Sequence, residues 1–242
     1  MKVLILGHKG MLGSMVCAYF KHMGIDYTTT DLKWPTLDFE KYLKEFKGDY
    51  IVNCIAITNP TRKGIQVNYE LPKLLEEKTE CRIIYPGTDS DNEMGSYAAS
   101  KTSASIWINQ DSKNTKIIRS SIIGPELIPK PYLFEFLKTT KDASFSEQAR
   151  WNGNTTLTWA KYCLEMIQNW NDYKIENVLC SSCITKAELA EIVADVFNLK
   201  IDIKTTNEKG FNRCLKNEKS YLPIKKQLIT LKEFIYIYNQ QK

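Results

Sequence analysis

The sequence of 242 residues is poor in histidine and has no long hydrophobic run. Its two histidines, His8 and His22, are too few for a His-rich metal centre, so no metal site is expected. A Ser-His-Asp triad would have to use one of these two N-terminal residues, which makes histidine-based catalysis a poor hypothesis. No apolar segment approaches the ~20 residues of a membrane span, so no membrane association is expected.

Cysteine usage and charge exclude further classes. Seven cysteines at irregular spacing, and a start that runs straight into a short apolar segment, predict a cytoplasmic protein without a signal peptide. Cys180 and Cys183 form a lone C-x-x-C pair with no histidine nearby, so two free thiols are expected rather than zinc. The net charge of +5 comes from lysines scattered among acidic residues. Nucleic acid is therefore not an expected partner.

Short apolar segments alternate with longer amphipathic ones, which is the pattern of βαβ units. The predicted strands are Lys2–Leu6, Asp26–Thr30, Tyr50–Cys54, Arg82–Tyr85, Lys116–Arg119 and Asn177–Cys180. The predicted helices are Met11–Met23, Phe39–Phe46, Ile65–Lys78, Tyr97–Gln110, Thr156–Asn169 and Lys186–Phe197. The sequence thus predicts an α/β protein with a Rossmann-type doubly wound parallel sheet.

A change in composition predicts a second part. Proline-rich sequence follows Gly124, and irregular sequence returns from Ile201 to Lys226. We assign residues 1–126 with 155–180 to a Rossmann core, and residues 127–154 with 181–242 to a smaller C-terminal substrate-binding lobe. No flexible linker separates the two parts, so one compact unit is expected.

A glycine-rich turn lies directly between the first predicted strand and the first predicted helix. Its spacing is Gly7-x-x-Gly10-x-x-Gly13. Glycines at such positions permit a tight turn and the close approach of a pyrophosphate, which rests against the helix N-terminus. The residues expected at a dinucleotide cofactor here are Gly7, His8, Lys9, Gly10, Met11, Leu12 and Gly13.

The end of the second predicted strand governs the choice between NAD and NADP. A carboxylate there accepts a hydrogen bond from the ribose 2′-hydroxyl, whereas a cation meets a 2′-phosphate. Asp31 favours NAD, and Lys9 and Lys33 favour NADP. These residues alone do not decide between the two cofactors.

Reduction of a ketone by a nicotinamide needs a proton donor beside the carbonyl oxygen. A tyrosine can serve if a cation lowers its pKa, and a lysine four residues later lies on the same helix face. The spacing alone is weak evidence, because it occurs four times. The pairs are Tyr69/Lys73, Tyr97/Lys101, Tyr221/Lys225 and Tyr238/Lys242.

Position selects among these pairs. Pro72 and Pro223 lie within the first and third, which disfavours a regular helical turn there. The fourth lies at the end of the sequence. Only Tyr97 and Lys101 open an uninterrupted helix just after the fourth predicted strand and the hydroxyl-bearing segment Gly87–Ser90. They are therefore the predicted catalytic pair.

These motifs resemble a known family. Gly7-x-x-Gly10-x-x-Gly13, Cys54-Ile55-Ala56 and Tyr97-x-x-x-Lys101 resemble the motifs of the extended short-chain dehydrogenase/reductases. Finer features are similar to the dTDP-4-dehydrorhamnose reductase branch, the nucleotide-sugar 4-ketoreductases of polysaccharide synthesis. They lie in Ile65–Pro72, Ile118–Gly124, Trp151–Leu157 and Asn212–Leu215. The similarity runs from Met1 to about Leu215.

The resemblance implies a Rossmann fold and reduction of the 4-keto group of a dTDP- or UDP-linked 4-keto-6-deoxyhexose by NADPH, with NADH as the alternative. Carried over, Tyr97 is the general acid, Lys101 binds the cofactor ribose and lowers the pKa of Tyr97, and Thr88 hydrogen-bonds the ketone. The residues implied along the cofactor are Cys54, Ile55, Ala56 and Asn68. The residues implied at the sugar nucleotide are Ser90, Ser121, Asn152, Thr155 and Arg213.

The chain departs from the family between Thr88 and Tyr97, which are more widely spaced in its members. The shortened loop leaves Ser90 as a rival to Thr88 for the hydroxyl role. One alternative is a non-catalytic NADP-binding subunit, because this branch includes the regulatory β-subunit of methionine adenosyltransferase. Another is a nucleotide-sugar epimerase/reductase, which the position of both histidines disfavours. The resemblance also allows a homodimer, formed through helices like Tyr97–Gln110.

Overall fold

Helices and strands alternate along most of the chain. The structure, a computed structural model, describes residues 1–58, 62–90, 95–125, 132–216 and 221–240. The helices are α1 (Met11–His22), α2 (Leu37–Glu45), α3 (Arg62–Lys78), α4 (Ser96–Asp111), α5 (Leu133–Thr139), α6 (Thr156–Gln168), α7 (Lys186–Phe197) and α8 (Ile224–Gln240). The strands are β1 (Val3–Leu6), β2 (Tyr27–Thr29), β3 (Tyr50–Asn53), β4 (Arg82–Pro86), β5 (Thr115–Arg119), β6 (Ile122–Ile123), β7 (Asp142–Ser146), β8 (Arg150–Trp151), β9 (Asn154–Thr155), β10 (Glu176–Val178), β11 (Ile184–Thr185) and β12 (Asp202–Thr206).

The main sheet has six strands in the order β10-β5-β4-β3-β1-β2. The pairs from β2 to β5 are all parallel. The strand order reverses at β1, which lies between β2 and β3, and this is the topological switch point at which doubly wound sheets bind ligands. The predicted α/β fold with a doubly wound parallel sheet is confirmed, and each of the twelve predicted elements overlaps an observed one.

The central strands are buried along their whole length. Every residue of β1 and β3 is buried, as expected for a parallel sheet that helices cover on both faces. The core on one side of the sheet contains Leu4, Leu6, Phe39, Leu43, Ile51, Leu71, Leu75 and Ile83. Continuous apolar strands of this kind are visible in sequence, which is why this sheet is predictable.

The chain divides into two units. Unit 1 comprises residues 1–119 and 160–177, and unit 2 comprises residues 120–159 and 178–242. The predicted domain boundaries, and the expectation of one compact unit, stay predictions. Helix α7 of unit 2 begins with a capping box, in which Thr185 and Glu188 bond each other's backbone N–H groups.

Two elements of unit 2 differ from the sequence expectation. Residues Ile201–Lys226 were expected to be irregular, but Asp202–Thr206 forms β12, which pairs in parallel with β7. Neither strand has the continuous apolar sequence of the central sheet, and β12 contains no buried residue, so the sequence signal for this pair is weak. Helix α8 was not predicted, although Ile224, Leu228, Leu231 and Phe234 bury one of its faces.

Helix α3 continues through Pro72, which contradicts the expectation that this proline breaks the turn between Tyr69 and Lys73. Proline has no N–H, so the carbonyl of Asn68 loses its helical donor. The hydroxyl of Tyr85 donates to that carbonyl at 3.1 Å. A side chain from β4 therefore satisfies the group that the proline leaves unpaired.

The expectation of two free thiols at Cys180 and Cys183 is wrong for Cys183. Cys183 forms a disulfide with Cys214, and their Cα atoms are 5.8 Å apart. Cys180 is a free, buried thiol. The partner lies 31 residues away in the sequence, so the C-x-x-C spacing gave no sign of it.

Across the described ranges, no helix has both the length and the hydropathy that crossing a membrane requires.

Candidate functional site

The glycine-rich turn joins β1 to α1 and depends on two of its three glycines for its shape. Gly7 has a φ of +75°, and a Cβ there would lie 2.9 Å from the backbone of Cys54. A Cβ on Gly13 would overlap the carbonyl of Gly7, because α1 packs closely on the turn. The Gly10 N–H closes the turn by donating to the Gly7 carbonyl at 2.9 Å. Larger residues at Gly7 or Gly13 would therefore push α1 away from the sheet.

The first turn of α1 is suited to an anionic ligand. Helix α1 begins at Met11, which Leu12 follows. Its N-cap is Gly10, and no acidic residue lies in its first turn. Among the described residues, no side chain caps its free N–H groups. An uncapped N-terminus carries positive potential and donors that a pyrophosphate can use. The residues present therefore fit a dinucleotide cofactor.

Two lysines and a histidine lie near Asp31, just beyond the end of β2. Lys9 Nζ lies 2.6 Å from Asp31 Oδ1, and His8 Nε2 lies 3.5 Å from the same oxygen. The hydrogen bond from Lys9 is the main cause that lowers the pKa of Asp31, with smaller contributions from the charges of His8 and Lys33. Asp31 and Lys9 are both largely exposed, so a ligand can reach them.

Asn68 holds the segment that follows β3. Its side-chain oxygen accepts from the Ile57 N–H at 3.0 Å, and its Nδ2 donates to the Ile57 carbonyl at 2.9 Å. Nδ2 also lies 3.1 Å from the hydroxyl of Ser100, which donates to the carbonyl of Tyr97 at 2.8 Å. Asn68 thus connects the segment containing Cys54, Ile55 and Ala56 with the first turn of α4. Sequence reasoning named Asn68 but missed Ser100.

Lys101 is the most buried charged side chain of α4, with 2% of its surface exposed. Its Nζ donates to the carbonyl of Pro86 at 2.7 Å and lies 3.8 Å from the ring centroid of Tyr85. Burial lowers the pKa of Lys101 to about 7, against a smaller opposing effect of the nearby Cys54. Burial also raises the pKa of the Cys54 thiol. Lys101 is therefore partly charged near neutral pH.

Thr88 and Ser90 place two hydroxyl groups just beyond β4. Their side-chain oxygens are 3.1 Å apart, and both residues are buried. The Ser90 N–H also donates to Thr88 Oγ1 at 3.2 Å, while Arg119 donates to the carbonyl of Thr88 at 3.3 Å. Thr88 lies two residues after Pro86, whose carbonyl holds Lys101. The end of β4 thus binds Lys101 through Pro86 and carries Thr88 two residues later.

Tyr97 lies in the first turn of α4 and is half-buried. Helix α4 carries Lys101 one turn later, as the motif predicts. The middle of the shortened loop, Asp91–Met94, lies outside the described residues.

Two predicted substrate residues of unit 2 take part in its internal hydrogen bonds. Ser121 Oγ accepts from the indole N–H of Trp151 at 2.6 Å. Asn152 is buried and bonds both backbone groups of Leu215, donating to its carbonyl at 2.8 Å and accepting from its N–H at 2.9 Å. Asn152 therefore positions the segment around Leu215 and has little surface left for a ligand.

Thr155 belongs to a buried network that the sequence did not reveal. Its hydroxyl bonds Thr158 at 2.9 Å, and its N–H donates to Gln227 of α8 at 3.0 Å. Gln227 is buried and also donates to Asn154 at 2.9 Å. A buried glutamine on an amphipathic helix is the signal that could have identified this network. Full burial makes Thr155 a packing residue in this conformation.

Arg213 is half-buried, and its N–H donates to the carbonyl of Arg150 at 3.0 Å. This bond places Arg213 beside β8, in the segment that contains Cys214. The structure thus groups Asn152 with the Arg213 segment, and Thr155 with α8.

Within the described part of the chain, no group of three or more His, Cys, Asp or Glu side chains is arranged to hold a metal ion.

The fold matches solved structures of nucleotide-sugar reductases. A dTDP-4-dehydrorhamnose reductase from Clostridium acetobutylicum has 17% identity and a TM-score of 0.78, with 98% of this chain and 100% of that chain covered. The Bacillus anthracis enzyme, solved with NADP, has 13% identity and a TM-score of 0.79, with 98% and 99% covered. GDP-mannoheptose C4 reductase from Campylobacter jejuni, also with NADP bound, has 13% identity and a TM-score of 0.68, with 97% and 98% covered.

No family model matches the chain, and no curated protein matches its sequence. At these identities the likeness concerns the fold. The resemblance to the dTDP-4-dehydrorhamnose reductase branch, drawn from the motifs, is confirmed at that level.

Proposed function

We propose that the chain is an NADPH-dependent reductase of the 4-keto group of a nucleoside-diphosphate 4-keto-6-deoxyhexose, making a deoxysugar nucleotide for glycan synthesis. The observation that carries this proposal is the environment of Lys101. Its described partners are the carbonyl of Pro86 and the ring of Tyr85 rather than a carboxylate. A buried ammonium without a carboxylate partner is costly, which favours a functional reason for its position.

The glycine-rich turn supports the cofactor. The N–H groups of α1 would hold the pyrophosphate, and Lys9 and Lys33 would meet the 2′-phosphate of NADPH. When bound, the reduced nicotinamide supplies a hydride to the sugar carbon. Two structures of similar fold contain NADP, which favours NADPH over NADH.

The proton donor is assigned to α4. The hydroxyl of Tyr97 would donate to the ketone oxygen as the hydride arrives, and the charge of Lys101 would stabilise the phenolate that remains. Thr88 would hold the ketone oxygen by a hydrogen bond. Ser90 is 3.1 Å from Thr88, so it can orient that hydroxyl or replace it.

The nucleotide part of the substrate is assigned to unit 2. Arg213 would bind the diphosphate as a bidentate donor. Asn152 would act by fixing the segment that carries Arg213, because its amide already bonds Leu215. Two neighbouring structures are reductases of GDP-linked heptoses, so GDP joins dTDP and UDP among the nucleotides to be tested.

The test uses purified protein with NADPH or NADH and a panel of dTDP-, UDP- and GDP-linked 4-keto sugars. We expect loss of the absorbance of the reduced nicotinamide with at least one substrate, and a product reduced at C4. Thr88→Val and Ser90→Ala then separate the two hydroxyls. We expect the larger loss of kcat, about 10- to 100-fold, from Thr88→Val.

Tight NADPH binding with no oxidation by any 4-keto sugar would overturn the reductase proposal and favour a non-catalytic NADP-binding subunit. A product with an inverted ring carbon would instead identify an epimerase/reductase. A cytoplasmic location and a homodimer belong to the same proposal, and cell fractionation and light scattering test them.

A further inference from the structure

The seven cysteines, all within the described residues, fall into two groups. Five are free thiols, namely Cys17, Cys54, Cys81, Cys163 and Cys180. Burial raises the pKa of each of these five thiols. Thiols with a raised pKa are poor nucleophiles near neutral pH. Cys183 is exposed, whereas Cys214 and the five free thiols are half-buried or buried.

Cys214 belongs to a segment that pairs with β8. In this segment, Phe211–Leu215, the carbonyl of Phe211 accepts from the Arg150 N–H at 3.1 Å. The N–H of Arg213 donates back to the Arg150 carbonyl at 3.0 Å. The Phe211–Leu215 segment is thus attached to β8 through few backbone hydrogen bonds.

Side-chain bonds complete the attachment. The amide of Asn152 bonds both backbone groups of Leu215. The N–H of Cys214 donates to the side-chain oxygen of Asn212 at 3.0 Å, which closes a tight turn. Arg213 therefore lies in a turn whose position depends on Asn152 and on whatever holds Cys214.

Cys183 lies beside β11, the other chain segment that pairs with β8. It directly precedes β11, which pairs antiparallel with β8 through Ile184 and Trp151. The disulfide therefore connects the two chain segments that flank β8. It adds a covalent attachment where the Phe211–Leu215 segment has only hydrogen bonds.

We propose that Cys183 and Cys214 form a reversible dithiol–disulfide modification site, whose disulfide form fixes the Phe211–Leu215 segment on β8 and strengthens sugar-nucleotide binding through Arg213. The effect on substrate rests on the proposed function, and the reversibility rests on the cytoplasmic location proposed with it, whereas the bond itself is observed. A disulfide in a cytoplasmic protein is usually transient and regulatory, because thiol reductants act there. The pair would therefore respond to the thiol–disulfide balance around the protein.

The oxidant is a low-molecular-weight disulfide such as glutathione disulfide. The thiolate of the exposed Cys183 attacks one of its sulfurs, which forms a mixed disulfide and releases one thiol. The thiolate of Cys214 then attacks the Cys183 sulfur, which forms the protein disulfide and releases the second thiol. The two protein thiols lose two electrons and two protons, which convert the oxidant into two thiols.

The first experiment measures the modification itself. The full chain is equilibrated in glutathione buffers of increasing disulfide content, alkylated, and mapped by mass spectrometry. We expect the free thiols to fall from seven to five, with Cys183 and Cys214 in one cross-linked peptide pair. Cys180→Ala, a matched control three residues from Cys183, should still form this bond. Seven free thiols in every buffer, or a bond between other cysteines, would overturn the proposal.

The second experiment measures the consequence on the segment. Hydrogen exchange of the Arg213, Cys214 and Leu215 amides should be faster in the reduced chain than in the oxidised chain. Cys183→Ser and Cys214→Ser should match the reduced chain in every buffer. Equal protection in both forms would contradict the claim that the disulfide fixes the segment. This readout does not depend on any enzymatic activity.

Calorimetric titration with dTDP, UDP and GDP then tests the binding effect. We expect the Kd of the preferred nucleotide to be about 3- to 10-fold larger in the reduced chain. The reason is that the Phe211–Leu215 segment is in its binding position in a smaller fraction of the reduced molecules. The Kd of NADPH, whose site is assigned to unit 1, should be unchanged. Equal nucleotide affinity in both forms would refute the binding effect. If neither form binds a nucleotide while the bond still forms, the proposed function has failed and the modification site stands.

Discussion

Two Tyr-x-x-x-Lys pairs on neighbouring helices have the same spacing and different environments. In Tyr69/Lys73 of α3, the ammonium donates to the hydroxyl of its own tyrosine at 2.6 Å and lies 4.0 Å from the ring centroid. In Tyr97/Lys101 of α4, the lysine is buried and donates to the carbonyl of Pro86. The first lysine is satisfied by its own pair, whereas the second is held at a strand end. The Tyr-x-x-x-Lys spacing alone therefore does not identify a site. The contact of Lys101 with the end of β4 distinguishes Tyr97/Lys101 from Tyr69/Lys73.

The largest expected difference concerns the two tyrosine hydroxyls. Tyr97→Phe removes the proposed acid and should lower kcat by about 10²- to 10⁴-fold. Tyr69→Phe removes a hydroxyl of the same kind on a neighbouring helix and should change kcat less than twofold. Both variants are assayed with NADPH and the preferred 4-keto sugar. A fully active Tyr97→Phe variant would exclude Tyr97 as the acid.

The two lysines should differ in the sign of their effect on stability. Because burial lowers the pKa of Lys101 to about 7, the unfolded chain binds more protons than the folded chain between about pH 7 and its ordinary pKa of 10.5. The free-energy cost of burying the charged Lys101 is therefore full below pH 7 and declines as the pH rises. Without cofactor, Lys101→Met should raise the free energy of unfolding by more than about 1 kcal/mol at pH 7, and by less at pH 10.

The control for this prediction is Lys73→Met. It loses the hydrogen bond to Tyr69, so it should lower the free energy of unfolding by about 1 kcal/mol. Urea denaturation at both pH values measures the two variants. A loss of stability in Lys101→Met at pH 7 would show that the buried ammonium stabilises the fold instead of serving a function.

Tyr85 contacts both helices that carry the two pairs. Its ring lies beside Lys101 of α4, and its hydroxyl donates to the carbonyl of Asn68 in α3, one helical turn before Pro72. Tyr85→Phe keeps the ring and leaves that carbonyl unpaired, so it should cost about 1–3 kcal/mol of stability with little effect on kcat. Pro72→Ala restores the missing helical N–H and should recover part of the loss. A double-mutant cycle measured by urea denaturation gives the coupling. Zero coupling would contradict this account of α3.

The smallest expected effect concerns the turn near Asp31, which lies in unit 1 like the α4 pair. Asp31→Asn removes the carboxylate that competes with a 2′-phosphate for Lys9. The Kd of NADPH should fall about two- to fivefold, while the Kd of NADH should rise. Asp26→Asn, which changes an exposed acid directly before β2, is the control. Fluorescence titration measures both, and a weaker affinity for NADPH in Asp31→Asn would refute the competition.

Much of unit 1 could be predicted from the sequence because its signals are local. Apolar segments such as Val3–Leu6 are buried throughout, and Gly7 and Gly13 are required by a backbone that no larger residue allows. Unit 2 offered weaker signals. Four of its strands have only two residues, and the burial of Gln227 depends on residues about 70 positions away. Contacts of that separation leave no periodic pattern in the sequence.

The sequence by itself determined the parallel sheet and the glycine-rich turn, because strand periodicity and glycine spacing are properties of neighbouring residues. The catalytic roles of Tyr97 and Lys101 stay predictions. Only the tertiary structure decided that α3 continues through Pro72, because Tyr85 supplies the missing donor. It also decided that Asn152 supports a segment, and that Cys183 pairs with Cys214. Those outcomes depend on atoms that folding brings together from distant positions, which no local pattern encodes.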